Sequence, residues 1–305
     1  MRFLASLAMR GRSQAVMTAS VLAILALPLP PLSILSAAVV ALVTLRRGLR
    51  EGLLILGLSG IACSALALLL FSHVLPVVGY VLLMWLPVWL LGGLLRVNRS
   101  LGTTLAAALL LGLLVLGGQY LQSQSPVDAW RELLEPFITS LVESQLIDAG
   151  ISQQLLDTMA GWMPGSIAAG FVVQSMAALI TARWWQAFLY NPGGFREEFH
   201  QLRLPRALAP ATLLVLVLNW FTSEIGLPTY LTMLLLAGWL IQGISLVHAL
   251  QRGMGASVAW LVAMYAMLVV AMPYVVGALA IAGFADSWLD FRTRLGIVGK
   301  SGKTG

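Results

Sequence analysis

The feature that most constrains this chain is a succession of apolar runs, many on the order of 20 residues long, parted by short clusters of arginine, proline or glycine. Coiled as a helix at about 1.5 Å per residue, such a run matches the roughly 30 Å hydrocarbon core of a bilayer. The runs are Ala15 to Leu27, Leu32 to Leu45, Leu53 to Phe71, Val74 to Leu95, Leu101 to Leu121, Pro164 to Thr181, Ala207 to Phe221, Pro228 to His248 and Ala256 to Phe284. Hydrophobic residues make up 59% of the chain and charged ones 10%, where a soluble domain carries about 25% charged residues. That balance excludes a soluble enzyme and a disordered chain, and a single cysteine, Cys63, excludes a disulfide scaffold. The net charge of +6 reads as loop arginine of a membrane protein and not as a nucleic-acid surface. The expected fold is therefore all-α: a polytopic helical transmembrane bundle of about 8–10 membrane helices, one integral membrane domain over residues 1–305.

Proline decides where the runs break, because it removes a backbone donor and clashes with the preceding turn. Pro28-Leu29-Pro30-Pro31 separates the first two runs into a tight helical hairpin. The last run, Ala256 to Phe284, is either one long tilted span or a hairpin turned at Met272-Pro273; the hairpin is preferred, since a single span would leave Arg292, Arg294, Lys300 and Lys303 on the wrong side. Residues 1–27, with a basic start and an apolar stretch, read as a retained signal anchor. Arg2, Arg10, Arg12, Arg46, Arg47, Arg50, Arg96, Arg99, Arg183, Arg196, Arg203, Arg206 and Arg252 all fall on one side of this layout, which makes that side, and the N-terminus, cytoplasmic.

The opposite side receives residues 122–163, an amphipathic extracytoplasmic segment. Val127, Trp130, Leu133, Leu134, Phe137, Ile138, Leu141 and Val142 recur at steps of three and four and leave Asp128, Glu132, Glu135 and Glu143 on the other face. Ile151, Leu155, Met159 and Trp162 continue the pattern after Gly150. This predicts a pair of interfacial helices, or a lid over an outward-facing cavity. Residues 183–206 form a cytoplasmic elbow: aromatics mark the exit of a span, Asn191-Pro192-Gly193-Gly194 makes a turn, and a short helix follows with Phe195, Phe199 and Leu202 on its apolar side. Residues 293–305 read as a disordered basic tail. Its glycines and lysines resemble a phosphate loop only superficially, since the required glycine is missing five positions upstream.

Two groups of residues are candidate sites. Trp184, Trp185, Tyr190, Phe195, Arg196, Phe199 and Arg203 make the elbow a candidate docking surface for a membrane or cytoplasmic protein, because aromatics and arginine anchor interfaces. Gln174, Asn219 and Gln242 are neutral polar residues at depth, read either as interhelical hydrogen bonds or as the lining of a cavity for a ligand of unknown identity. Ionisable groups inside the spans are nearly absent, which disfavours a proton relay. No metal-binding, cysteine-pair or serine-elbow motif occurs, so neither an enzyme activity nor a cofactor is expected, and the bilayer itself is the first partner.

The stretch Trp184 to Arg203 centred on Tyr190-Asn191-Pro192-Gly193-Gly194-Phe195-Arg196, the closing Asp286-Ser287-Trp288-Leu289-Asp290-Phe291-Arg292, and the opening Leu27-Pro28-Leu29-Pro30-Pro31 with Leu45-Arg46-Arg47-Gly48 resemble the YybS-like family of predicted bacterial inner-membrane proteins. The resemblance covers essentially the whole chain and implies a bacterial cytoplasmic membrane protein of unknown activity. It extends distantly to the substrate-binding subunits of energy-coupling-factor transporters and to the rod-shape subunit MreD, which have fewer helices. In such transporter subunits small residues spaced Ala-x-x-x-Ala pack against a coupling subunit, and Ala37 and Ala41 are the counterpart here. Two functions follow: a solute-binding or transport subunit without its own ATPase, or a cell-envelope scaffold acting through its loops.

Overall fold

The computed structural model describes residues 2–222 and 224–295. Among them every regular element is helical. Helices α1 (Arg2–Arg10) and α2 (Arg12–Leu25) lead to α3 (Leu32–Arg47) and α4 (Leu49–Phe71). Helix α5 (Leu75–Tyr80) passes through a π turn at Val81–Trp85 into α6 (Leu86–Asn98), followed by α7 (Leu101–Gln122), α8 (Pro126–Glu143) and α9 (Ala149–Tyr190). Then come α10 (Gly194–His200), α11 (Leu208–Trp220), α12 (Leu227–Gly253), α13 (Ala259–Val270), α14 (Met272–Leu289) and α15 (Phe291–Arg294). Among the described residues six stretches are long and apolar enough to cross a membrane: α4, the continuous run Leu75–Asn98, α7, α9, α12 and α14. The chain is thus a multi-pass helical membrane protein, its expected helices divided between full-length spans and shorter apolar helices that include α2, α11 and α13.

The shorter helices follow from the prolines. Helices α2 and α3, about 21 and 24 Å long at 1.5 Å per residue, fold against each other across the turn at residues 26–31. Ser33 receives a hydrogen bond from Gln174 and Leu45 one from Gln186, so α3 runs beside α9 in the same direction and in register. The turn of the hairpin therefore stops at the level of Gln174, about 15 Å short of Pro164 as measured along α9. Helix α3 is apolar all round and is the central pillar: every residue from Ser36 to Leu45 is buried, enclosed by α2, α4, α6 and α9. Ala37 and Ala41 lie inside this run. Ala41 faces Gly92 of α6, so the small-residue pair packs within the chain and has no free face for a coupling subunit.

The close of the chain repeats the device. Helix α13 starts beside His248 and Arg252 at the end of α12. After the break at Ala271, α14 returns to that same end, where Arg203 pairs with Asp290 and Arg292 donates to the His200 carbonyl. The last apolar run is thus an open hairpin, the preferred of the two alternatives the charge pattern left. Helix α14 packs closely on α12, glycine to glycine: a Cβ on Gly243 would collide with the Leu279 carbonyl, and one on Gly283 with the Trp239 carbonyl.

The basic segments gather at one end of the bundle. Arg12 pairs with Glu51, Arg47 donates to Met9 O, Arg96 to Leu45 O, and the Arg46 guanidinium lies 4.1 Å from the Tyr190 ring centroid. The acidic segment occupies the other end, in a form that differs from a pair of interfacial helices. Its second stretch is the beginning of α9, which runs unbroken for 42 residues, about 63 Å, and α8 folds back on it. Pro164 lies within this helix, beside two hydrogen bonds from other helices: Gln119 Nε2 donates to Pro164 O at 3.2 Å and Tyr230 OH to Gly161 O at 2.9 Å. Residues 296–305 of the expected tail lie outside the described residues, and Thr293 and Arg294 belong to α15.

Gly243→Ala should lower the unfolding midpoint of the detergent-purified protein, at a cost of about 1–3 kcal/mol for overpacking. Gly57→Ala, where a Cβ meets open space, should leave it unchanged in the same thermal melt. In a Cys63→Ser background, a membrane-impermeant thiol reagent should modify Ser257→Cys and Leu295→Cys from one side of the membrane and Gln124→Cys from the other. Labelling of Ser257→Cys and Leu295→Cys from opposite sides would show that α13 and α14 do not form a hairpin.

Candidate functional site at the basic end

Helix α9 ends in a cluster of aromatics, and Gly193, at φ 95°, turns the chain into α10 with a backbone conformation that a side chain would strain. Helix α10 then lies across the ends of α9 and α12. Its Phe199 is buried, with Leu202 behind it, and Ser245 Oγ donates to Phe199 O at 2.6 Å. Arg183 of α9 pairs with Glu198 of α10 at 2.7 Å, which fixes the elbow angle. Between this elbow, the last turns of α12 and the first turns of α13 lies a cavity of about 630 Å³.

The cavity has one electrostatic sign. Arg196, Arg252, His200 and His248 line it, and among its described lining residues none is Asp or Glu. Its remaining wall is mostly aromatic and aliphatic: Trp184, Phe188, Phe195 and Phe199 from the elbow side, Leu261 and Tyr265 from α13. His248 Nε2 and Tyr265 OH stand 2.9 Å apart and tie α12 to α13 across it. Burial, reinforced by the neighbouring His248, Arg196, Arg292 and Arg252, pushes the His200 imidazole down to about 4. His200 is therefore neutral near pH 7, and the fixed positive charge is that of Arg196 and Arg252, both exposed.

The seven elbow residues separate into two roles. Trp184, Phe195, Arg196 and Phe199 line the cavity, whereas Trp185 is fully buried, Tyr190 lies under Arg46, and Arg203 is paired with Asp290 at 2.5 Å. The three polar candidates do not meet. Gln174 donates to Ser33 Oγ at 3.0 Å, Asn219 accepts from Thr229 Oγ1 at 2.9 Å, and Gln242 accepts from Leu204 N at 2.7 Å while donating to Gly283 O at 2.8 Å. Each joins a different set of segments, as interhelical hydrogen bonds do. Gln242 also borders a second cavity of about 270 Å³, which it shares with Arg203, Arg206, Asp286 and Asp290.

Reading by residue type missed His248, Arg252 and Tyr265, which come from segments remote in sequence. It also passed over an ionisable group inside a span. Asp286 of α14 and Arg292 are both fully buried and stand 3.2 Å apart without hydrogen-bond alignment, while Arg292 Nη1 donates to His200 O. Desolvation pulls the guanidinium down to about 10 against the opposing pull of Asp286, so it stays charged. The hydrogen bond from Arg203 holds Asp290, next to it, below the usual carboxylate range. These ion pairs fasten the close of the chain beneath the elbow. The signal was available in the sequence as an aspartate two residues beyond the last apolar run, followed by an arginine six residues on. Among the described residues no three His, Cys, Asp or Glu side chains come together to hold a metal.

Arg292→Met should destabilise the purified protein by about 3–5 kcal/mol, because it strands a buried carboxylate. Asp286→Leu combined with Arg292→Met should recover most of that loss, measured as the shift in thermal midpoint in one detergent. Comparison of this chain with protein-family models, with curated proteins and with solved structures finds no match, so the meaning of the cavity rests on its own geometry.

Proposed function

We propose that this protein is a non-enzymatic, solute-binding membrane subunit of a transport system, driven by a separate ATPase, with the elbow cavity as its ligand site. The observation that supports this reading most directly is the cavity itself: about 630 Å³, within the range of small-molecule sites, with convergent polar groups on an aromatic wall. A docking scaffold is the weaker reading. Trp185, Phe199, Tyr190 and Arg203 are engaged within the chain, which leaves few free anchors on the elbow. The basic end is assigned to the cytoplasm on the arginine asymmetry, which sets the N-terminus inside. The YybS-like resemblance adds the bacterial cytoplasmic membrane as the address.

The test is gentle purification from the native membrane followed by mass spectrometry of the proteins and small molecules that remain bound. A retained small molecule that is lost in Trp184→Ala, together with a stoichiometric ATPase, is the expected result. Envelope-assembly proteins without any ligand would overturn the reading in favour of a scaffold.

A further inference from the structure

The elbow cavity lies at the basic end of the bundle, between the end of α9, the end of α12 and the start of α13. Three helices reach the polar boundary around it: α9 at its aromatic end, α12 at His248 to Arg252, and α13 at Val258 to Tyr265. Aromatics at a span exit mark that boundary, and basic pockets between membrane helices suit anionic headgroups. The wall made by α13 has a lipid-facing character of its own. No residue of α13 is buried in the protein, Trp260 and Val262 are 70% and 64% exposed, and the helix packs on α12 and α14 with the cavity separating it from α9. Of its lining residues, Val258 and Tyr265 are likewise 65% and 46% exposed, so no other helix of the chain covers this wall of the cavity.

Its charges are also available. The ion pairs of the described residues engage Arg12, Arg131, Arg183, Arg203 and Arg292, and leave Arg196 and Arg252 without a carboxylate. Two guanidinium groups beside an aromatic wall, with no acid among the lining residues, complement an anion that carries an apolar body.

We infer that the elbow cavity holds the phosphate headgroup of an anionic lipid drawn from the surrounding bilayer, with Arg196 and Arg252 on the phosphate and Trp184, Phe195 and Tyr265 against the glycerol and upper acyl chain. This deepens the proposed function and rests on the cavity being the ligand site. A bilayer lipid fits better than a free anion because Val258, Leu261 and Tyr265 put one wall of the cavity on a helix with no residue buried in the protein, along which an acyl chain can lie.

The full chain, purified in an uncharged detergent, is titrated with short-chain phosphatidylglycerol, short-chain phosphatidylcholine and glycerol 3-phosphate, with binding read by native mass spectrometry. Phosphatidylglycerol should bind saturably and about tenfold or more tighter than phosphatidylcholine, on the order of fivefold for each arginine engaged. Glycerol 3-phosphate should bind far more weakly. Arg196→Gln with Arg252→Gln should abolish the preference between the two lipids, each single variant should lose about half of it on a logarithmic scale, and Arg50→Gln, an exposed arginine at the same end, should keep it. Equal binding of the two lipids, or an unchanged preference in the folded single variants, would overturn the inference. Glycerol 3-phosphate binding as tightly as phosphatidylglycerol would also overturn it, and would make the site one for a soluble anion. If the native membrane yields a different solute that the same arginine variants release, the lipid assignment falls while the ligand-site reading stands; if no ligand of any kind depends on these arginines, both fall.

Discussion

A backbone amide or carbonyl left without a partner in an apolar surrounding costs several kcal/mol, and the arrangement of this chain follows from that constraint. Helices meet it along their length, so a chain with 59% hydrophobic residues becomes a helical bundle. The difficulty arises where proline ends a helix before it has crossed. At residues 26–31 and at Ala271 local turns take up these groups: Leu29 N donates to Leu25 O, Leu32 N to Leu29 O and Ser33 N to Pro30 O, and Ala271 N donates to Met267 O. Pro164 instead sits inside an unbroken helix, where Gln119 and Tyr230 tie its neighbourhood to α7 and α12.

Apolar side chains gain little by leaving lipid for protein, so close packing and buried hydrogen bonds hold such a bundle together. Two tryptophans act as cross-links of this type. Trp85, turned inward by the π turn, donates to Ser36 Oγ, which donates to Ala19 O and so joins α6, α3 and α2. Trp239 donates to Thr212 Oγ1 and joins α12 to α11. Gln174 and Gln242 belong to the same class, and the glycines of the α12–α14 contact let two backbones approach where no side chain could fit. The polar residues at depth are thus largely consumed by architecture, and the cavity of about 630 Å³ lies elsewhere, at the basic end.

That end owes its shape to charge as much as to packing. The Arg183–Glu198, Arg203–Asp290 and Arg292–Asp286 pairs fasten α10 and the close of the chain beneath α9 and α12. With those carboxylates occupied, the cavity is left with arginine and neutral imidazole on an aromatic wall. A site of one sign at a span exit is suited to an anionic group presented at the membrane surface.

The sequence by itself determined the helical class, the breaks at Pro28 to Pro31 and at Met272-Pro273, the gathering of arginines on one side, and the short helix of the elbow with Phe199 and Leu202 turned inward. These follow from local rules: hydropathy over a window of about 20 residues, the missing amide of proline, and a period of 3.6. Only the tertiary structure decided that Gln174, Asn219 and Gln242 bond separately, that Trp185 is buried while Trp184 lines a cavity, and that the acidic stretch after Gly150 is the first part of α9. It likewise brought His248, Arg252 and Tyr265 to residues of α9 and α10 some 50 to 80 positions away along the chain. Periodicity identifies the face of a helix and leaves its neighbour open, and which neighbour that is depends on helix lengths, crossing points and glycine contacts that only the assembled bundle sets.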